Sequence, residues 1–252
     1  MTSSLVGSEM CIRDRLCQYR KADGTDQTWA GVDDWRPAGE YRDKAEELEP
    51  RAQASLYFYG VNPKNNTGNS RWDLYQNWQL EYKWQDGCAK NIKFWYEAGS
   101  REWFEFPIYR MAEFYLNIAE AYNEEGNPTM ALRYLNDIRR RGGIPDETQT
   151  DRVRLRQSIH REWAVEFYEE NQWYPHARHW KQGASMVGGA KYKFEFSQAA
   201  GVSWNPRKPE EFANYTRKPS YVPEYTWHER MSLSPFTLSE VNKGYLVQNP
   251  GY

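Results

Sequence analysis

The sequence has little of the aliphatic material from which most globular cores are built. Leu, Ile and Val are scarce, and the whole apolar set makes up only 39% of 252 residues. Such poverty often signals disorder, but disordered chains are also poor in aromatics and strongly charged. This chain carries 12 Trp, 19 Tyr and 10 Phe against a formal charge of −2. Its apolar surface therefore rests on rings with polar tips, which suit amphipathic core edges and sugar-binding surfaces alike. The near-neutral balance removes the electrostatic case for nucleic acid or an anionic membrane surface. No run approaches the roughly 18 apolar residues of a membrane-spanning helix. The cysteines Cys11, Cys17 and Cys88 are odd in number and show no repeated spacing, so neither a disulfide framework nor a zinc site is expected. His176 and His179 lack a second pair of ligands. With no phosphate loop and no Ser-His-Asp pattern either, neither metal nor cofactor is expected.

Residues 1–15, MTSSLVGSEMCIRDR, have no apolar segment of a signal peptide and no small-residue pattern before Cys11. They resemble translated sequencing-adaptor sequence and are set aside from the fold. The native N-terminus, with any export signal or lipid anchor, is expected to lie outside the sequence.

Residues 16–36 read as polar loop containing Trp29 and Trp35. RPAGEYRDKAEELEPR reads as one short charged helix ending near Pro50, because proline disfavours helical geometry in the residue before it. Strands are expected at Ala54–Gly60 and Asn91–Glu97, where aromatic and β-branched residues cluster. Pro107 opens the first strong helix, with Ile108, Met111, Ala112, Tyr115, Ile118, Ala119 and Tyr122 at steps of three and four. Gly126 can take its left-handed cap. Asn127 caps the next helix and Pro128 fits its first turn, where a missing N–H costs nothing. That helix carries Ala131, Leu132, Leu135 and Ile138 and stops at Gly142-Gly143. A third runs from about Asp151 to Glu170 on Leu155, Ile159, Trp163 and Phe167. Residues 184–252 show many prolines and little periodicity and are expected to wrap irregularly over the helices.

The helical pair fits the tetratricopeptide pattern, with the small Ala119 and Ala131 facing each other at a close approach. An ordinary packed hairpin explains the same residues. Its flanks say more. FPIYRMAEFYLNIAEAYNEEGN and ALRYLNDIRRRGGIP resemble the C-terminal half of the SusD/RagB family of outer-membrane nutrient-binding lipoproteins. The matching positions are Pro107, Arg110 to Glu113, Ala119 to Ala121, and Asn136, Arg139 and Arg141 before Gly142. IHREWAVEFYEENQWYPHARHWKQG is similar to the family's next block at Glu162, Glu166, Phe167, Glu170, Arg178, His179 and Trp180. EPRAQASLYFYG resembles its Asp-Pro-Arg lead into a strand, and Gln248 to Tyr252 its closing segment. Trp163, Asn171, Trp173, His176 and Thr237 depart from the pattern and bear on the helix-end salt bridges, not on the fold.

The resemblance covers roughly residues 40–252 and implies a mainly α fold: a SusD-like, tetratricopeptide-type helical scaffold with long irregular loops and a few short strands. It implies that residues 16–252 are the C-terminal portion of a longer domain, with its natural C-terminus present. It also implies a surface lipoprotein of the outer membrane that captures glycans or similar nutrients for a SusC-like TonB-dependent transporter. The hairpin is then scaffold, and ligand belongs to loops.

Sugar rings present apolar C–H faces to Trp and Tyr, while their hydroxyls need Asn, Asp, Arg or Gln. Asn69–Trp84 supplies both, and the candidate ligand contacts are Asn69, Arg71, Trp72, Asp73 and Tyr75, with Trp78 and Trp84 assigned to core. Trp29–Trp35 is a second candidate, represented by Trp35. Glu162, Glu166 and Glu170 would repel one another on one helix face, so pairing with Arg161, Arg178 or Arg139 is expected rather than catalysis. Three readings stand: a surface nutrient-binding protein, a helical-repeat scaffold for a protein partner, and a glycoside hydrolase. The first is preferred.

Overall fold

The computed structural model describes residues 16–58, 89–91, 93, 107–188, 192–201, 212–219 and 226–252. In chain order, strand β1 (Arg36–Pro37) leads into helices α1 (Ala38–Glu46) and α2 (Pro50–Ser55). Strands β2 (Leu56–Phe58) and β3 (Ala89–Asn91) pair antiparallel. Helices α3 (Met111–Glu124), α4 (Pro128–Arg141) and α5 (Arg152–Glu166) follow, then the short α6 (Trp173–His179) and α7 (Gly183–Met186). Strands β4 (Tyr192–Gln198) and β5 (Phe212–Pro219), a 3-10 turn at Glu229–Ser232 and α8 (Leu238–Val241) complete the order. The described chain is mainly α.

The central helices start and stop where local chemistry says they should. Asn127 accepts a hydrogen bond from the Met130 N–H through its side chain, and Asp151 does the same for Arg154, so both helices begin with a satisfied donor. Gly126 and Gly143 take left-handed φ values of 82° and 76°. The next amide in each case, Asn127 or Ile144, reaches back to Tyr122 or Arg139 at 2.8 and 3.1 Å. Helices α3 and α4 form the hairpin with α5 against it. Their shared core is Ala112, Leu116, Ala119, Ala131, Leu135, Ile138, Leu155, Ile159, Trp163 and Phe167. Ala119 and Ala131 are fully buried, as a close approach of the two helices requires.

A second, aromatic core lies under the sheet. Its strand order is β1-β5-β4, antiparallel throughout. Tyr41 of α1 stands at its centre, with ring centroids 5.9, 5.0 and 5.4 Å from Phe194, Phe196 and Tyr215. Edge-on ring packing of this kind adds about 0.5–1.5 kcal/mol per pair beyond area burial, which helps explain how so few aliphatics suffice. Burial pushes the Tyr215 phenol up to about 12.

Several expectations need correction. Pro107 does not open a helix: α3 begins at Met111 and Arg110 is extended at φ −145°. The buried face is Ala112, Leu116, Ala119 and Asn123, while Ile108 and Met111 are 76% and 66% exposed. The third helix ends at Glu166, and Glu169 and Asn171 take left-handed φ of 59° and 60° in the turn beyond. Asn171 stands where the resembling family has glycine, and asparagine is among the few side chains that tolerate this conformation. The charged N-terminal stretch is two helices, not one. Residues 184–252 are not only irregular wrap, since they contribute β4 and β5. Ala54 and Ser55 of the first expected strand belong to α2, with β2 covering Leu56–Phe58, while of the second only Asn91, the last residue of β3, and Lys93 are among the described residues. Residues 1–15, with Cys11, lie outside the described residues.

Candidate functional site

Among the described residues, a cavity lined by charged side chains lies at the C-terminal end of α5. It holds about 360 Å³ and is lined in part by Arg51, Lys93, Arg110, Arg141, Glu166 and Glu170. Local folding explains why charges gather here. The chain enters α2 through Pro50, which places Arg51 at the helix start. Arg110, extended just before α3, sends its guanidinium to Glu166 and Glu170. The last turn of α4 ends in three arginines, of which Arg139 is buried.

Each carboxylate in this nest has a cation. Glu166 is held by Arg51 at 3.1 Å and, more closely, by Arg110 and Arg141. Glu162 meets Arg51 closely and Arg139 at 3.7 Å. Glu49 accepts from Arg51 Nε at 2.8 Å and from the Arg20 amide at 3.0 Å. Glu170 binds Lys93 Nζ at 2.5 Å and both arms of Arg110. Lys93 Nζ also donates to the Glu166 and Tyr168 carbonyls at 3.0 and 2.8 Å, satisfying acceptors that a helix end leaves open. Burial alone would raise the Glu166 carboxyl, but Arg141 and Arg110 outweigh it and hold it at about 2. At Glu49 burial wins over Arg51 and the carboxyl is raised. A group titrating near 2 holds no proton to donate at neutral pH, so Glu166 cannot serve as a general acid.

The expected pairing of these glutamates is therefore found, with partners partly different from those expected. Arg139 takes part, but Arg161 turns to Asp26 and to the Gln18 carbonyl at 2.6 Å. Arg178 reaches the Ser232 carbonyl at 3.1 Å and Ser234 Oγ at 3.0 Å, fastening the C-terminal segment to α6. Sequence reasoning missed Arg51, Lys93 and Arg110 as partners; Arg51 and Arg110 stand inside the Pro-Arg and Pro-x-x-Arg stretches that carried the resemblance. Gly142 fits beside the network because a Cβ there would lie 2.6 Å from Arg51 Nε.

A second cluster joins α3, α5 and α6. His160 stacks on Trp180 with centroids 3.6 Å apart, and His176 lies 4.6 Å from Trp180 and 4.0 Å from Trp163. Trp180 Nε1 donates to Glu120 at 2.8 Å. Burial holds His176 down at about 4. No group of side chains suited to a metal ion is found among the described residues.

Of the aromatic candidates, Asn69, Arg71, Trp72, Asp73 and Tyr75 lie outside the described residues, as do Trp78 and Trp84. The Trp29–Trp35 loop divides. Trp29 joins the sheet core, 5.5 Å from both Tyr41 and Phe194. Trp35 is 44% exposed, with Lys218 Nζ 5.9 Å from its ring centroid. The structure does not bring Trp35 together with the charged cavity, whose lining residues do not include it.

The sequence profile of the SusD family matches residues 4–252, beginning inside the segment expected to be foreign. A SusD-like protein from Bacteroides fragilis NCTC 9343 is 24% identical, with a TM-score of 0.69 over 96% of this chain and 46% of its own. The protein BT4246 is 26% identical, with a TM-score of 0.62 over 94% of this chain and 43% of its own. A SusD-like carbohydrate-binding protein, also from Bacteroides fragilis NCTC 9343, is 15% identical, with a TM-score of 0.54 over 83% of this chain and 43% of its own. The chain thus spans less than half the length of these solved relatives. No curated protein matches it.

Proposed function

This chain belongs to the SusD family, and from that premise we propose that it helps capture a carbohydrate at the cell surface and does not cleave it. The observation that carries the binding half is the family match over residues 4–252, alongside a structural relative described as a carbohydrate-binding protein. The non-catalytic half is supported by the carboxylates of the polar cavity. A glycosidase sets two carboxyl groups across a cleft, one of them able to hold a proton. Here Glu162, Glu166 and Glu170 sit at one helix end, and each is engaged by a guanidinium or ammonium group. No described helix is long and apolar enough to cross a membrane. We assign attachment at the outer membrane to a lipid anchor, and the receiving partner to a TonB-dependent transporter.

Ligand contacts in this proposal come from Asn69, Arg71, Trp72, Asp73 and Tyr75, together with Trp35. A panel of oligosaccharides tested against the protein that carries this chain should give at least one saturable ligand. Trp72→Ala should weaken that binding with little change in the urea midpoint. A loss of about 3–5 kcal/mol of stability would instead make the ring a core residue. A panel without any ligand, beside specific capture of a protein partner, would favour the scaffold reading.

A further inference from the structure

Helix α6 has only seven residues, Trp173–His179, too few to hold a helix by its own hydrogen bonds. Its place is set by what it touches. Left-handed residues bracket it, Asn171 at φ 60° and Lys181 at φ 54°, so both of its ends are turns. Few backbone angles need to change for such a segment to swing as a body.

Towards α5 the helix offers His176. Its ring lies 4.0 Å from Trp163 and 4.6 Å from Trp180, and Trp180 in turn stacks on His160. His176 Nδ1 is buried with no hydrogen-bond partner, as are His160 Nε2 and Trp163 Nε1. A protonated imidazole carries an N–H at both nitrogens, so a charged donor at Nδ1 would be shut in without an acceptor. The ionisable groups around it are Glu120 of α3, His160 of α5 and His179 of its own helix. One carboxylate thus faces three imidazoles. Glu120 already accepts from Trp180 Nε1 at 2.8 Å and has His160 Nε2 at 3.9 Å.

The same helix carries the C-terminal segment. Arg178 donates to the Ser232 carbonyl at 3.1 Å and to Ser234 Oγ at 3.0 Å, and Tyr174 packs on Trp227 with ring centroids 5.8 Å apart. Trp227 also sits on Gly183 of α7, where a Cβ would come within 1.9 Å of its ring. Further on, the segment is tied to itself. Phe236 and Gln248 exchange two hydrogen bonds of 2.9 Å, and Arg230 Nη1 donates to the Gly251 carbonyl at 3.2 Å.

We propose that α6 is an acid-opened clip: protonation drives the His176 ring off Trp163 and Trp180, and α6 swings away from α5 carrying the C-terminal segment with it. In the closed form burial holds His176 at about 4 against an ordinary 6.5. The released imidazole takes up a proton sooner than the buried one. Opening therefore gains as pH falls below 6.5 and gains no more once the buried ring titrates. Between pH 7.5 and 4.5 the opening equilibrium should rise on the order of fiftyfold. The contribution of Glu166 is lost only below 4.5, so its network still stands there. The clip belongs to the helical scaffold and does not depend on what the protein binds.

Hydrogen exchange read by mass spectrometry tests it, on the protein that carries this chain, at pH 7.5 and 4.5 with exchange times corrected for the intrinsic rate. In the wild type, opening of peptides from α6 and from residues 229–252 should rise at least tenfold at pH 4.5, while peptides from α4 stay unchanged. His176→Phe should remove the rise in both. Arg178→Met should loosen residues 229–252 at either pH and leave the response of α6 in place. A rise that persists in His176→Phe, or one shared equally by α4, would overturn the clip. So would α6 opening in acid while residues 229–252 stay protected. Should His176→Phe not fold, side-chain NMR of the wild type decides: a His176 that titrates near 6.5 in the folded protein overturns the proposal, and one that titrates well below it together with the opening of α6 supports it.

Discussion

Arg110 grips Glu170 with two parallel hydrogen bonds, Nε to Oε2 at 2.6 Å and Nη2 to Oε1 at 2.8 Å, across 60 residues of sequence. The pair ties the segment before α3 to the turn after α5, and the same guanidinium lies 4.1 Å from the Phe167 ring centroid. Geometry of this kind suits arginine and not lysine, whose ammonium is a point charge.

Removing Arg110 leaves the buried Glu170 with Lys93 as its one remaining described cation. Arg110→Ala should cost about 3–5 kcal/mol, and Arg110→Lys should recover only part of it. Replacing both partners together by Met should cost clearly less than the two single changes summed. Urea denaturation of the four proteins checks this. Additive losses would mean that the pair contributes no coupling.

Ala119 and Ala131 are both fully buried where α3 crosses α4. Ala131→Leu should overpack the crossing and destabilise the protein by about 1–3 kcal/mol, while Ala121→Leu, on the exposed side of α3, should not. An unchanged midpoint for Ala131→Leu would show that the helices have room to spare.

Acid should unfold the protein in part through Glu166. Its carboxyl sits at about 2 in the fold against an ordinary 4.5. Its contribution is complete above the unfolded value and is lost as pH falls from 4.5 towards 2. Glu166→Gln should therefore be less stable than wild type at pH 7, and the gap should narrow by pH 3. Thermal melts at both pH values read the outcome directly, and a gap that widens in acid would contradict it.

His176 works over a higher window. Burial among Trp163, Trp180 and the histidines His160 and His179, with Glu120 the opposing acid, holds it at about 4 against an ordinary 6.5. The unfolded chain takes up the proton first, so stability is complete above 6.5 and declines as pH falls towards 4. His176→Phe should flatten that decline between pH 6.5 and 4.5 while keeping the ring stack. Equal slopes for wild type and variant would place the titration elsewhere.

The helical scaffold was legible in the sequence where its signals are local. Asn127 and Pro128 mark a helix start by chemistry confined to one turn, and the Asn127 cap is made as expected; Asp151, expected only as the approximate start of the next helix, also caps it. Ala119 and Ala131 revealed the crossing because size at helical spacing is also a local signal. The ion-pair network was only half legible. The glutamates stand at obvious intervals, but Arg51 meets Glu162 across 111 residues and Lys93 meets Glu170 across 77, distances that no spacing rule reaches. The sheet was missed for a different reason. Tyr192, Phe194 and Phe196 alternate with Lys193, Glu195 and Ser197, the period of a strand. Prolines nearby drew the reading towards loop, and the strands' partners lie at Arg36–Pro37 and Phe212–Pro219. At the aromatic candidates, Trp29 and Trp35 look alike in sequence. Only the sheet packing separates a core ring from an exposed one.

Capture without cleavage is tested most directly by one titration followed by product analysis. The protein that carries this chain is titrated with each member of a neutral oligosaccharide panel in a calorimeter, and the cell contents are then separated by chromatography. The predicted result is saturable binding of at least one member, with a negative heat-capacity change from apolar ring burial, and recovery of that ligand at its original length. Shortened products that increase with incubation, or heats no different from dilution across the whole panel, would contradict it.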